Sequence, residues 1–483
     1  MKKYILGLAL VTVAMTSCSD FLEEEPELRQ SNEMTFAKYT SMDAAGSALY
    51  GMMQSASWYD GKFILESELR CGNAKNPTQM AGSGRYRTQT QWNFNSQSTS
   101  SVWAYGYYTI VRANNVINNL AGMNLEGNSQ QAADNLKAEA LFMRALCHFD
   151  IVITYCQPYG YNATEADKVG VPIVLGSDLN GQPARDPKAD VYDQIVADLL
   201  EAESLISDDF TRSSADDPKA MVSKGAIQAL LSRVYLYMEN WQEAANYATK
   251  VINAKEKVGN DSVNVYSLVS PAEYASMWDD ATGSSEIIFE VYGSNKNGYW
   301  DDSGWTHLSY LTATDGSGDI CATEDLYSLY EAGDARLALF VDNGKDHMLQ
   351  KYFGKAGANP RQVNVPVIRF AEMYLNRAEA IINGASIPGA SAVSDLRTLA
   401  TYRNATPADA TKEGVFTDRR KELMFEGHIA YDYARCQKSL TRTDFDELVN
   451  KDVPFPSTMW AMPIPRHELD ANPNIVQNPG YNN

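Results

Sequence analysis

From Lys224 to Ile252, small residues and aromatics alternate at helical spacing, and that pattern commits the middle of the chain to close-packed α-helix. The first half sets Ala226, Leu230, Leu231, Val234 and Tyr235 on one face. Met238-Glu239-Asn240 interrupts it, and Trp241, Ala244, Ala245, Tyr247, Ala248 and Val251 resume it. Alanine lets two backbones approach and a ring fills the gap beside it, so the spacing predicts a helix–turn–helix pair.

Such a pair resembles a tetratricopeptide repeat, although no strict period of about 34 residues recurs elsewhere. Leu136 to Tyr155 lacks Gly and Pro and carries an apolar stripe through Leu146, Phe149 and Ile153. Tyr192 to Ile206 repeats the stripe with Ile195, Leu199 and Leu205. Arg369 to Ile382 and Asp395 to Arg403 read as another pair, and Thr417 to Arg435 as one further helix. Glu286 to Tyr292 reads as a strand. Two stretches, Trp58 to Ser101 and Gly293 to Gly318, are rich in Gly, Asn and Ser and read as long loops, which in a compact helical body are functional or disordered. Six prolines between Val453 and Asn483 predict an irregular tail, docked through Phe455, Trp460 and Tyr481.

The 483 residues hold 41 Lys+Arg against 61 Asp+Glu, a net charge of −20 that argues against a nucleic-acid binder. With 44% apolar and 21% charged residues the bulk is globular, not disordered. Five histidines give a multi-histidine metal centre little material. An acidic surface would suit structural calcium, but no EF-hand spacing supports it, and no cofactor is expected. After Cys18, five cysteines remain without a CxxC spacing and read as buried free thiols, with a disulfide as the alternative in an oxidising compartment.

At the N-terminus, Lys2-Lys3 precede an apolar run, Tyr4 to Met15, too short for the roughly 20 residues that span a bilayer. Thr16-Ser17-Cys18 follows and resembles a lipobox, so residues 1–17 are expected to be a signal peptide and Cys18 the lipidated first mature residue. Residues 18–35 form an acidic tether whose Asp20 and Glu23-Glu24-Glu25 resemble the surface-export signal of Bacteroidetes lipoproteins.

Five segments occur in order along the rest. They are Trp103 to Ile110 with Ala113-Asn114; Ala138-Glu139-Ala140-Leu141-Phe142-Met143-Arg144-Ala145 running to Phe149-Asp150; Arg369 to Ala380; Arg419-Arg420-Lys421-Glu422-Leu423-Met424-Phe425-Glu426-Gly427-His428; and Pro463-Ile464-Pro465 with Asn472-Pro473-Asn474 and Gln477-Asn478-Pro479-Gly480-Tyr481. Together they resemble the motifs of the SusD-like (RagB/SusD) family. The departure is Cys156-Gln157-Pro158-Tyr159-Gly160, where the family pattern would place Tyr-Gly before a short proline loop.

The resemblance implies a mainly α SusD-like fold: four tetratricopeptide-like helix pairs as scaffold, with such helices near 136–155, 192–206, 224–252 and 369–403, long irregular loops, a few short strands, and one body over 36–483. It implies a non-enzymatic, lipid-anchored outer-membrane protein at the cell surface. Such a protein captures oligosaccharide and delivers it to a SusC-like TonB-dependent transporter. Capture of peptide for the same kind of transporter, or a structural lid with little affinity of its own, are the alternatives. A surface glycoside hydrolase would need two carboxylates about 5–10 Å apart, and no hydrolase motif accompanies the 61 acidic residues.

Glu379, Arg420, Glu422 and Glu426 fall at helical spacings and read as scaffold. Binding belongs on loops near 58–101 and 293–318, where flat rings can stack on sugar faces and polar groups can bond the edges. Arg85, Trp92 and Asn95 in the first loop, and Tyr299, Trp300 and Trp305 in the second, are the candidates. Trp241 and Trp278 read as core.

Overall fold

The computed structural model describes residues 36–77, 85–178, 180–212, 217–278, 284–293, 306–344, 346–352, 363–444 and 450–482. Its long helices follow the chain as α1 Tyr39–Met53, α2 Lys62–Arg70, α3 Val102–Asn119, α4 Gln130–Tyr155, α5 Lys188–Leu205, α6 Lys224–Tyr237, α7 Trp241–Ile252, α8 Phe370–Ile382, α9 Ala392–Arg403, α10 Lys412–Glu422 and α11 Ile429–Arg435. From α3 to α9 each helix packs on the next, α10 lies on α8, and α1 closes over α3 and α4.

Small residues produce this close stacking. Ala226 and Ala229 of α6 and Ala244, Ala245 and Ala248 of α7 are fully buried. The helices come near enough for the Ser232 hydroxyl to donate to the Ala244 carbonyl at 3.0 Å. Tyr235 and Tyr247 stack beside that contact with ring centroids 5.7 Å apart.

Strands are short. Ile287–Val291 pairs antiparallel with Val365–Arg369, and both are wholly buried. A second, antiparallel sheet runs Ala74–Lys75, Cys321–Ala322, His347–Leu349, Phe340–Asp342.

Two of the residues read as scaffold, Glu422 and Glu426, lie in a buried ionic knot. Arg369 bonds Glu426 through Nε at 2.8 Å and Nη2 at 2.7 Å, and Glu286 and Glu422 through Nη1 at 2.7 and 2.9 Å. Arg403 and Arg336 also reach Glu422. Burial alone would raise the Glu422 carboxyl, but Arg403 and Arg369 outweigh it and hold the group below the carboxylate range. Glu379 binds Arg435, and Arg420 binds Asn73 and the Gly72 carbonyl. The tail docks through its own motif: Ile464 and Gln477 exchange two hydrogen bonds, and the Asn478 amide donates to the Tyr155 and Met462 carbonyls. Cys71, Cys147, Cys156 and Cys321 are buried free thiols, and Cys436 is partly buried and free.

Two sequence expectations are corrected. The stretch 58–101 is not one long loop, because it contains α2, every residue of which except Lys62 is buried. The segment from Thr417 to Arg435 is not one helix. It breaks between α10 and α11, where Phe425 and Gly427 take φ of 57° and 84°. The break lets Gly427 N donate to Glu68 at 3.0 Å and Ala430 N to Ser67 at 3.0 Å, which fastens the turn to α2.

Candidate functional site

The first candidate loop re-enters the described chain at Arg85 and Tyr86. Tyr86 adopts φ 58°, a left-handed conformation that starts the helical turn Arg87–Gln91, and Trp92 ends it at φ 53°. Bulky residues pay for such backbones, which persist only where the surroundings over-determine them.

At Trp92 the determinant is the core. The ring is 2% exposed. Its Nε1 donates to the Arg70 carbonyl at 2.6 Å. The Arg70 guanidinium stands 4.6 Å from the ring centroid, and Trp460 packs edge-on at 5.0 Å. Trp92 therefore anchors the loop, which corrects its assignment as a sugar-stacking ring. Trp58 is likewise fully buried and donates to Asp150.

At Tyr86 the determinant is the other loop. Its phenol oxygen lies 3.1 Å from His307 Nε2. His307 opens the short helix His307–Thr312, and its backbone N–H is held by both Asp60 carboxylate oxygens at 3.0 Å. Gly61 makes room for the imidazole, since a Cβ there would come within 2.6 Å of its Cδ2.

One helical turn on, Tyr310 presents a half-buried ring with the Arg85 guanidinium 5.9 Å from its centroid. Arg85 Nε also pairs with the buried Asp319 at 3.2 Å, while its own side chain stays 46% exposed. The Asn76 amide donates to the carbonyls of Arg85 and Asp319 and ties both to the end of the Ala74–Lys75 strand. The result is a mixed face of guanidinium, phenols and imidazole. Planar groups with outward donors suit hydroxyl-rich ligands that have apolar C–H faces.

Tyr299, Trp300 and Trp305 lie outside the described residues, as does Cys18. The described ends of their loop are firm. Gln54 donates to the Tyr292 carbonyl at 2.7 Å, and Gly293 N donates to Asn364 at 2.8 Å. Thr306 is buried, and its hydroxyl and that of Ser309 have no partner among the described residues. Both ends line a shallow hollow with Asp60.

Asn95 is exposed, but its side-chain oxygen already accepts from Gln97 N and Ser98 N. Its turn docks on the tail: the Thr99 hydroxyl donates to the Pro463 carbonyl and Arg466 N to the Ser96 carbonyl. No described contact joins it to the Arg85 face.

Sequence reading overlooked Tyr86, His307, Tyr310 and Asp319. The available signal was the i, i+3 spacing of His307 and Tyr310 directly after the aromatic loop. Among the described residues no group of three His, Cys, Asp or Glu could hold a metal, and no helix is long and apolar enough to cross a membrane.

A family described as starch-binding and associating with the outer membrane matches residues 20–236, and the SusD family matches residues 336–481. The SusD-like protein P2 of Formosa agariphila is 25% identical over 552 aligned residues, covering 100% of both chains. A SusD superfamily protein of Bacteroides thetaiotaomicron shares 26% identity with a TM-score of 0.79, over 92% of this chain and 100% of that one. A second, from Bacteroides vulgatus, shares 26% identity with a TM-score of 0.80 over the same shares, 92% and 100%. The ordered motifs, the helical stack and these likenesses agree: the chain belongs to the SusD-like family of glycan-binding proteins associated with the outer membrane.

Proposed function

We propose that this protein captures oligosaccharide at the cell surface and passes it to a SusC-like TonB-dependent transporter, held to the outer membrane by lipid on Cys18. The convergence of the two sequence-distant loops on Arg85, Tyr86, His307 and Tyr310 supports this reading most strongly. In it, Arg85 bonds sugar hydroxyls and Tyr310 offers a ring. Tyr299, Trp300 and Trp305 supply stacking from the loop whose ends lie beside them, and Asn95 adds an amide at the margin. Trp92 and the ionic knot hold the scaffold.

The test is binding of the mature protein to a panel of glycans and peptides, with an Arg85→Ala/Tyr310→Ala double variant beside it. One glycan class bound by the wild type and lost in the variant is the expected result. Peptide binding without glycan binding would replace the cargo. No binding of either would leave a structural lid.

A further inference from the structure

A cleft of about 470 Å³ opens between the α6–α7 turn, the end of α8, the start of α10 and the residues after α11. None of its walls belongs to the two loops above. Pockets of a few hundred Å³ suit small ligands.

Its lining is amphipathic. Trp241, the first residue of α7, is only partly buried and stands on the wall, not in the core where its sequence pattern put it. Phe416 and Tyr237 continue the apolar side, and Asn383 and Gln437 add amides.

The charges are balanced. Lys412, Arg435 and Lys438 face Glu239, Glu379 and Glu413 in a protein whose net charge is −20. Arg435 is already bound to both oxygens of Glu379, at 2.5 and 2.9 Å, and Lys438 is bound to Glu413. An anion or cation entering the cleft would therefore meet a nearly neutral wall.

The rim is formed by two helix ends. Glu239 and Gln437 both take left-handed backbones, φ 58° and 53°. Glu239 is pressed against Gly160, where any Cβ would collide with its carboxylate. Gly160 closes the segment at which the sequence departs from the family pattern. Glu239 and Gln437 each close the helix before them: Asn240 N donates to the Tyr235 carbonyl and Lys438 N to the Tyr433 carbonyl, both at 2.9 Å. These ends frame a cavity beside the partly buried Trp241 indole; the Asn383 NH2 donates to the Glu379 carbonyl at 2.9 Å, which turns its side chain along the end of α8.

We propose that this cleft is a second saccharide site, which takes a neutral di- or trisaccharide with a sugar face stacked on Trp241. The proposal rests on the reading of the protein as a glycan binder, and it is independent of the loop face.

The experiment labels the mature chain with 5-fluorotryptophan, assigns the Trp241 resonance with Trp241→Phe, and titrates neutral di- to hexasaccharides. It is run on the wild type, on Arg85→Ala/Tyr310→Ala, and on Asn383→Ala/Gln437→Ala. The expected result is a saturable shift of the Trp241 resonance that survives the loop-face variant and weakens at least tenfold in the cleft variant. A sugar that binds the loop face but leaves Trp241 unmoved overturns the second site and keeps the first. A Trp241 shift unaffected by the cleft variant, or no shift with any sugar, also overturns it.

Discussion

The Tyr86 phenol oxygen sits 3.1 Å from His307 Nε2, and this contact joins two loops more than two hundred positions apart in the chain. A side-chain hydrogen bond of this kind contributes about 0.5–1.5 kcal/mol. Tyr86→Phe should therefore lower unfolding free energy by about that amount in chemical denaturation. It should weaken glycan binding several-fold by loosening the face, with the fold retained by circular dichroism.

Arg85 and Trp92, seven positions apart, should separate function from scaffold. Arg85→Ala breaks a half-exposed pair and should cost under about 1 kcal/mol of stability. Its binding loss should reach roughly ten- to a hundredfold if it bonds sugar through a charge-assisted donor, worth about 1.5–3 kcal/mol. Trp92→Ala empties a buried site and should destabilise the protein by about 3–5 kcal/mol. Urea denaturation and calorimetric titration of the two variants measure both quantities.

Glu422 compensates three buried arginines, Arg336, Arg369 and Arg403. Glu422→Gln leaves their charge uncompensated and should destabilise the protein by about 3–5 kcal/mol at neutral pH. A carboxyl held below its ordinary range stabilises the fold above its unfolded pKa and loses that contribution as pH falls through the folded value. The gap between wild type and variant should therefore narrow on acidification below about pH 4.5. Thermal melts from pH 7 to pH 3 measure it.

Asp150 has the opposite sign. Burial raises its carboxyl to about 7 despite hydrogen bonds from Trp58 and Tyr59. Its contribution is full below the unfolded value of about 3.9 and is lost as pH rises through about 7. Asp150→Asn keeps an acceptor without a titrating proton, so its stability relative to the wild type should rise between pH 4 and pH 8. Parallel melts across that range would show it.

The helices were legible because their information is local. Alanine spacing in α6 and α7 marked both the pair and its turn, and the structure places the ends at Lys224, Tyr237, Trp241 and Ile252. Helix α2 was not legible. Its nine residues include Phe63, Ile64, Leu65 and Leu69 but are set in a stretch otherwise rich in Gly, Asn and Ser, and it buries Glu66 and Glu68, which only the fold supplies with Gln89, Asn73 and Gly427 as donors. At the site, a ring in a polar loop gives the same sequence signal whether it faces ligand or core. The backbone turn at Trp92 and its contact with Trp460 decide the matter, and neither is local. Arg85 was visible in the sequence, but its partner Asp319 and ring neighbour Tyr310 required the fold.

The proposed glycan face is the one built by Arg85, Tyr86, His307 and Tyr310. The most direct measurement is calorimetric titration of the mature protein and its Arg85→Ala/Tyr310→Ala variant with oligosaccharides of several neutral polysaccharide classes. Saturable binding of one class by the wild type, weakened at least tenfold in a variant that melts normally, is the predicted result. Equal binding by both proteins would contradict the placement of the site. Failure of every glycan class, with the wild type folded, would contradict the function.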